Sequence, residues 1–226
     1  ARRPEFRARA LSERRRMVCG NRDEGATMDE AEVFVLADRT LNGVVAEIAD
    51  NQWAIPVPPD FARAGSDQVP TLREIINYHA YDDAWVPDML AGRTMDEVGR
   101  DAFQGDLLGA EPKASFAALV EKACAAAVAL DDPDRTVHCS FGDFTAREYF
   151  WQINMFRGLR ARDIARFAGI DSSLPEDLVQ AIWDEISPHA EQWRAIGVFP
   201  AAVPVPAGAP LLDRLLGLTG RDPYPP

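Results

Sequence analysis

The sequence predicts an all-α fold, a bundle of helices around one core. Three observations predict it. Apolar residues recur at a period near 3.6 in several separate segments. Four helix starts carry a Ser or Thr with a Glu three residues on: Thr27/Glu30, Thr71/Glu74, Thr145/Glu148 and Ser173/Glu176. In such a box the hydroxyl accepts from a free backbone N–H while the Glu reaches back to the cap. Finally, no segment sustains the two-residue alternation of a sheet. With 226 residues and 47% hydrophobic content, the chain is long enough for one sizeable core. The expected organisation is an arm over 1–26, then one domain over 27–226 with a C-terminal extension from about residue 173.

The first helix is expected from about Met28 to Asp50, with Val33, Leu36, Ala37, Thr40, Leu41, Val44 and Ile48 on its apolar face. A proline-rich loop follows, from Trp53 to Pro70. The second helix runs from Thr71 to about Ala91, and Pro87 is expected to kink it or stop it early. Its stripe is Leu72, Ile75, Ile76, His79, Asp83, Val86 and Leu90. His79 and Asp83, four apart, therefore share one inward face. After a glycine-containing connection, Pro112 suits the first position of a third helix. Residues 131–143 read as a turn with a short hairpin, on the alternation of Val137, Cys139 and Phe141. The fourth helix spans Thr145–Ala168 and ends at Gly169. A fifth is expected over Pro175–Ile196, kinked at Pro188, and a short amphipathic piece over Leu211–Leu218 in a proline-rich tail that wraps back.

Charge narrows the partners. The formal net charge is −12, yet residues 1–22 hold eight arginines against Glu5 and Glu13. The other 204 residues carry 16 basic and 34 acidic groups, a net −18. An acidic body argues against nucleic acid as a partner of the fold. The arm reads as a flexible extension, or as sequence upstream of a start at Met17 or Met28. No run of about 18 apolar residues exists, so no membrane span is expected. Cys19, Cys124 and Cys139, widely spaced and odd in number, fit a reducing, cytoplasmic compartment.

The stretch Ile153–Gly169, INMFRGLRARDIARFAG, carries the chemistry. Ile153, Phe156, Ile164 and Phe167 form its stripe, and Arg160 and Asp163 fall on it. Charged groups on a core-facing stripe are costly unless they are paired or face a wet cavity. The expected site is therefore a cleft with His79, Asp83, Arg160 and Asp163 as catalytic candidates. His79 suits a general base or acid, with Asp83 or Asp163 orienting it. Arg160, with Arg157 or Arg162, suits a carboxylate or a developing oxyanion. Tyr78, Phe156, Tyr81 and Trp151 would wall the cleft. The competing expectation is structural: Arg160 bridged to an acid, and His79 hydrogen-bonded to Asp83. His138 reads as a loop histidine near the same end, and His189 as a core histidine.

PTLREIINYHAYDDAWVPDMLAG, residues 70–92, resembles the second-helix segment of the DinB-like superfamily. The likeness is to the actinobacterial branch around mycothiol-dependent maleylpyruvate isomerases. RDIARFAG, residues 162–169, and the ending from Asp184 to Arg221 look like two further segments of that family. The resemblance implies an antiparallel four-helix bundle with extra C-terminal helices. It also implies one divalent metal, held by a histidine of the second helix and two residues four apart on the fourth. Here Phe156 and Arg160 stand at those two fourth-helix positions, and Tyr78 at the position of the histidine, with His79 next to it. Phe and Arg cannot ligate a cation, so no metal is expected.

The expectation is thus a metal-independent small-molecule enzyme of isomerase, lyase or thiol-dependent transferase type, acting on a carboxylate-bearing substrate. No cofactor is expected, although the resemblance admits mycothiol as a thiol co-substrate. The alternative is a catalytically decayed bundle that binds an anionic small molecule or serves as an interaction protein. Family members often dimerise, so the resemblance is compatible with a homodimer.

Overall fold

The computed structural model describes residues 28–57, 69–140 and 142–224, the side chains of 154–156 excepted. The expected arm, Phe141 and most of the proline-rich loop lie outside these residues. Among the described residues the fold is mainly helical, with one two-stranded sheet. The chain divides into two compact units, Asp29–Ser173 and a C-terminal one from Leu174 onward.

In the first unit, α1 spans Glu30–Glu47. Its cap is Asp29, whose carboxylate accepts from Glu32 N at 2.8 Å while Glu32 accepts from Asp29 N at 2.9 Å. This corrects the expected Thr27/Glu30 box. Asp caps a helix as well as Thr does, and the helix begins two residues further on. Thr27 lies outside the described residues, and Glu30 is buried at 3% exposure. There it accepts from Arg147 at 3.1 Å and from Trp151 Nε1 at 3.4 Å.

Helix α2, Leu72–Leu90, starts at the Thr71/Glu74 box as expected. Pro87 does not stop it. So near the C-terminus the missing N–H removes one bond, and the helix still closes through Ala91 N to Pro87 O at 3.1 Å. Every expected stripe residue of α2 is buried. The connection after it holds an unforeseen turn of helix, α3, Met95–Val98, with its own Thr94/Glu97 box. Helix α4, Pro112–Val128, carries its proline in the first turn. The expected hairpin forms as β1, Thr136–Cys139, against β2, Gly142–Thr145, antiparallel, with Val137 opposite Phe144 and His138 opposite Asp143. Helix α5, Ala146–Ala168, opens at the Thr145/Glu148 box. It closes on Gly169, whose φ of 67° is the left-handed conformation that glycine adopts without strain.

Helix α1 packs against α5 and α4, and α2 against α4. The core these contacts enclose includes Phe34, Trp85, Val86, Ala123 and Phe150. The Phe34 and Phe150 rings are 5.2 Å apart, and Trp85 meets Phe103 edge-on at 4.9 Å.

The second unit holds α6, Glu176–Ile186, α7, Ala190–Ala195, and α8, Leu211–Leu218. The expected fifth helix is thus broken rather than kinked. Pro188 can neither donate to the ladder nor fit against the preceding turn, and the chain restarts after His189. The Ser173/Glu176 box is also corrected: α6 is capped at Pro175 with no side-chain bond, and Glu176 is its first residue. Helices α6 and α8 pack together, with the Arg214 guanidinium 4.5 Å above the Trp183 ring. Val203 N donates to Gly217 O at 2.9 Å. A methyl group on Gly217 would stand 2.6 Å from Val203 O, so only glycine allows this approach.

Candidate functional site

The site is built where α1, α2 and α5 bring charged side chains into the core. Among the described residues, Arg157 of α5 is the largest fully buried side chain, at 1% exposure. Its Nη1 donates to Asp38 Oδ1 of α1 at 2.6 Å, and its Nη2 pairs with Asp83 Oδ1 of α2. Both aspartates are 0% exposed. The guanidinium lies 5.5 Å from the centre of the Phe34 ring. Helix α4 adds Cys124, whose Sγ is 3.9 Å from Asp38 Oδ2.

Electrostatics follow from burial. Desolvation pushes the Asp83 carboxyl well above its ordinary value; Arg157 draws it back, but Asp38 and Asp82 add to the rise. Desolvation also raises Asp38, against the pull of Arg157. Burial alone would lower Arg157, yet Asp38 and Asp83 hold it above its usual range, so it stays charged. Burial and the neighbouring Asp38 push the Cys124 thiol up to about 12, which keeps it protonated.

His79 lies one turn before Asp83 on α2 and is 5% exposed. Its Nδ1 is buried and has no hydrogen-bond partner. Burial, then the charges of Arg157 and Arg160, hold its pKa well below the ordinary value, so the ring is neutral. Asp83 Oδ2, Arg157 Nε, Gln152 Oε1 and Trp85 Nε1 are likewise buried without a hydrogen-bond partner. Buried polar atoms of this kind call for an explanation such as an ordered water or a ligand.

As the stripe of α2 predicts, His79 and Asp83 face inward, and Arg157 and Arg160 both act on His79. Two points are corrected. The charged residue of α5 that enters the core is Arg157; Arg160 and Asp163 are half-buried, as are Arg162 and Tyr78. Asp83 is engaged by Arg157 and not by His79. Phe156 is among the side chains outside the description. Trp151 is buried against Glu30, and Tyr81 stacks edge-on with Trp85 at 6.3 Å. His138 is on a strand rather than in a loop, its Nδ1 2.8 Å from Asp143 Oδ1.

Asp38 was not anticipated. The signal was present: Phe34, Asp38, Leu41 and Val45 recur at helical spacing, and all are 0% exposed. Among the described residues no three His, Cys, Asp or Glu side chains are grouped to hold a metal ion. Compared with family models, curated proteins and solved structures, the chain matches none of them.

Proposed function

We propose that the chain is a metal-independent small-molecule enzyme, of isomerase, lyase or thiol-dependent transferase type, that handles a carboxylate-bearing substrate at His79 and Arg160. The observation that carries this reading is the unpartnered Nδ1 of His79, buried and neutral between α2 and the arginines of α5. A neutral imidazole can take a proton from a substrate. A nearby guanidinium can hold a carboxylate or steady the anion that forms. In this reading α1, α2, α4 and α5 make an antiparallel four-helix bundle of DinB-like type. Phe156 and Arg160 stand where relatives keep metal ligands, and Arg160 supplies the positive charge. Asp83 and Arg157 set the field around His79, while Asp163 and Arg162 border the cleft.

A second reading, a decayed bundle that binds an anion without chemistry, is favoured by the internal pairing of Arg157 with Asp38 and Asp83. A thermal-shift screen of the wild type, His79→Gln and Arg160→Gln against small carboxylic acids, thiols and divalent metals tests the site. Carboxylates should raise the wild-type midpoint and leave Arg160→Gln unmoved. Metal-dependent stabilisation lost in His79→Gln would overturn the metal-independent reading. Turnover of a stabilising carboxylate separates enzyme from binder.

A further inference from the structure

We propose that Asp38 and Asp83 share a single proton at neutral pH, so that the junction of α1, α2 and α5 is an electrically neutral clasp of one guanidinium, one carboxylate and one carboxylic acid. The inference is independent of the function proposed above.

Its basis is a count of charges in a closed space. Two carboxyl groups, each 0% exposed, sit on the two ends of one guanidinium that is itself 1% exposed. Arg157 supplies one positive charge. Two ionised carboxylates would leave a buried negative charge with no counter-ion, which is expensive in a low-dielectric core. The outer oxygens give that charge little relief: Asp83 Oδ2 has no hydrogen-bond partner, and Asp38 Oδ2 accepts from the Cys124 thiol, a weak donor, at 3.9 Å. Like-charged carboxyls crowded into one site cannot both ionise, and one keeps its proton.

The groups facing the pair agree. From α1 there is Asp38 itself, with Arg39 near Cys124; from α2, Asp82 adds negative charge and His79 is neutral. From α4, Cys124 is held protonated, with Glu121 acting on it as a further negative charge. From α5, Tyr149 is held neutral by burial, and Arg160 acts on His79. The shifts of both aspartates run upward, in the same sense.

Asparagine has nearly the shape of a protonated aspartate, so the test uses Asp38→Asn, Asp83→Asn and the double variant in the full chain. Infrared spectra with labelled aspartate should show a carboxylic-acid carbonyl band in the wild type at neutral pH. Each single variant should lose that band, because the remaining aspartate ionises against Arg157. The urea midpoint at neutral pH should be kept or raised in each single variant and should fall sharply in the double variant, where Arg157 has no anion. Lack of the band in the wild type overturns the proposal without recourse to any variant. So does a band that survives in Asp38→Asn, which would mean that Asp83 is protonated on its own account. A midpoint that falls in both single variants would show two ionised carboxylates and overturn it as well.

Discussion

Arg157 organises the buried polar cluster, and its neighbour one turn on, Arg160, does not. The two differ by three positions, a rotation of about 60° backward around a helix of 3.6 residues per turn. A stripe drawn through Ile153, Phe156 and Ile164 is centred too far round. The true face runs through Phe150, Arg157, Ala161, Ile164 and Ala165, all buried. Alanines mark where another helix comes close, and they carry less weight than Ile or Phe in a hydropathy pattern. The sequence thus showed the inward faces of His79 and Asp83 and a buried charge on this helix, but it set Arg160 on the stripe with Arg157 only as its auxiliary, and it passed over Asp38. Replacing Arg157 by Met should cost about 3–5 kcal/mol in urea unfolding, because it leaves two buried carboxyls without their cation. His79 gives a pH signature. Its folded pKa lies below the ordinary 6.5, so the unfolded chain takes up a proton there that the folded chain refuses. Its contribution to stability is complete above pH 6.5 and is lost as pH falls below it. The difference in unfolding free energy between wild type and His79→Gln should follow that curve. Asp83 acts in the opposite sense. The folded pair of Asp83 and Asp38 keeps a proton that the unfolded carboxyls release above their ordinary 3.8. The stability of wild type relative to Asp83→Asn should therefore fall as pH rises from that value, reaching parity or less at neutral pH.

Helix boundaries were legible wherever a cap stood alone beside its stripe. Thr71 and Thr145 begin helices because their hydroxyls and the following Glu satisfy free N–H groups from both sides. The same spacing misled at Ser173, where Pro175 intervenes and sets the first turn itself. It was passed over at Thr94, whose helix is one turn long and too short to show a stripe. Thr71→Ala and Thr145→Ala should each lose about 1 kcal/mol of stability by denaturant unfolding. Ser173→Ala, at an exposed residue outside any cap, should stay within about 0.5 kcal/mol of wild type. Proline gave a clear signal of interruption but not of its extent. Pro87, in a last turn, costs α2 little, whereas Pro188, mid-segment, ends α6. Gly217 had no sequence signal, since its necessity comes from a contact fourteen residues away. Gly217→Ala should destabilise the C-terminal unit, read as faster hydrogen exchange across α8.

For the whole molecule, the helical class followed from periodicity and caps, because those are local. The way the helices face one another was less legible. It is decided by which polar groups can be buried together, and Asp38, Asp83 and Arg157 are 45 and 74 residues apart along the chain. The body carries net negative charge, while Arg157 and Arg160 of α5 act on His79 from inside it. The function proposed above takes a small anion as the ligand, held at Arg160 beside His79. The most direct test of that claim is the imidazole nitrogen resonance of His79 while succinate is titrated into the full chain. The account predicts a saturable shift of the Nδ1 signal in the wild type that is abolished in Arg160→Gln. An Nδ1 signal that stays still in the wild type, or moves equally in Arg160→Gln, would contradict it.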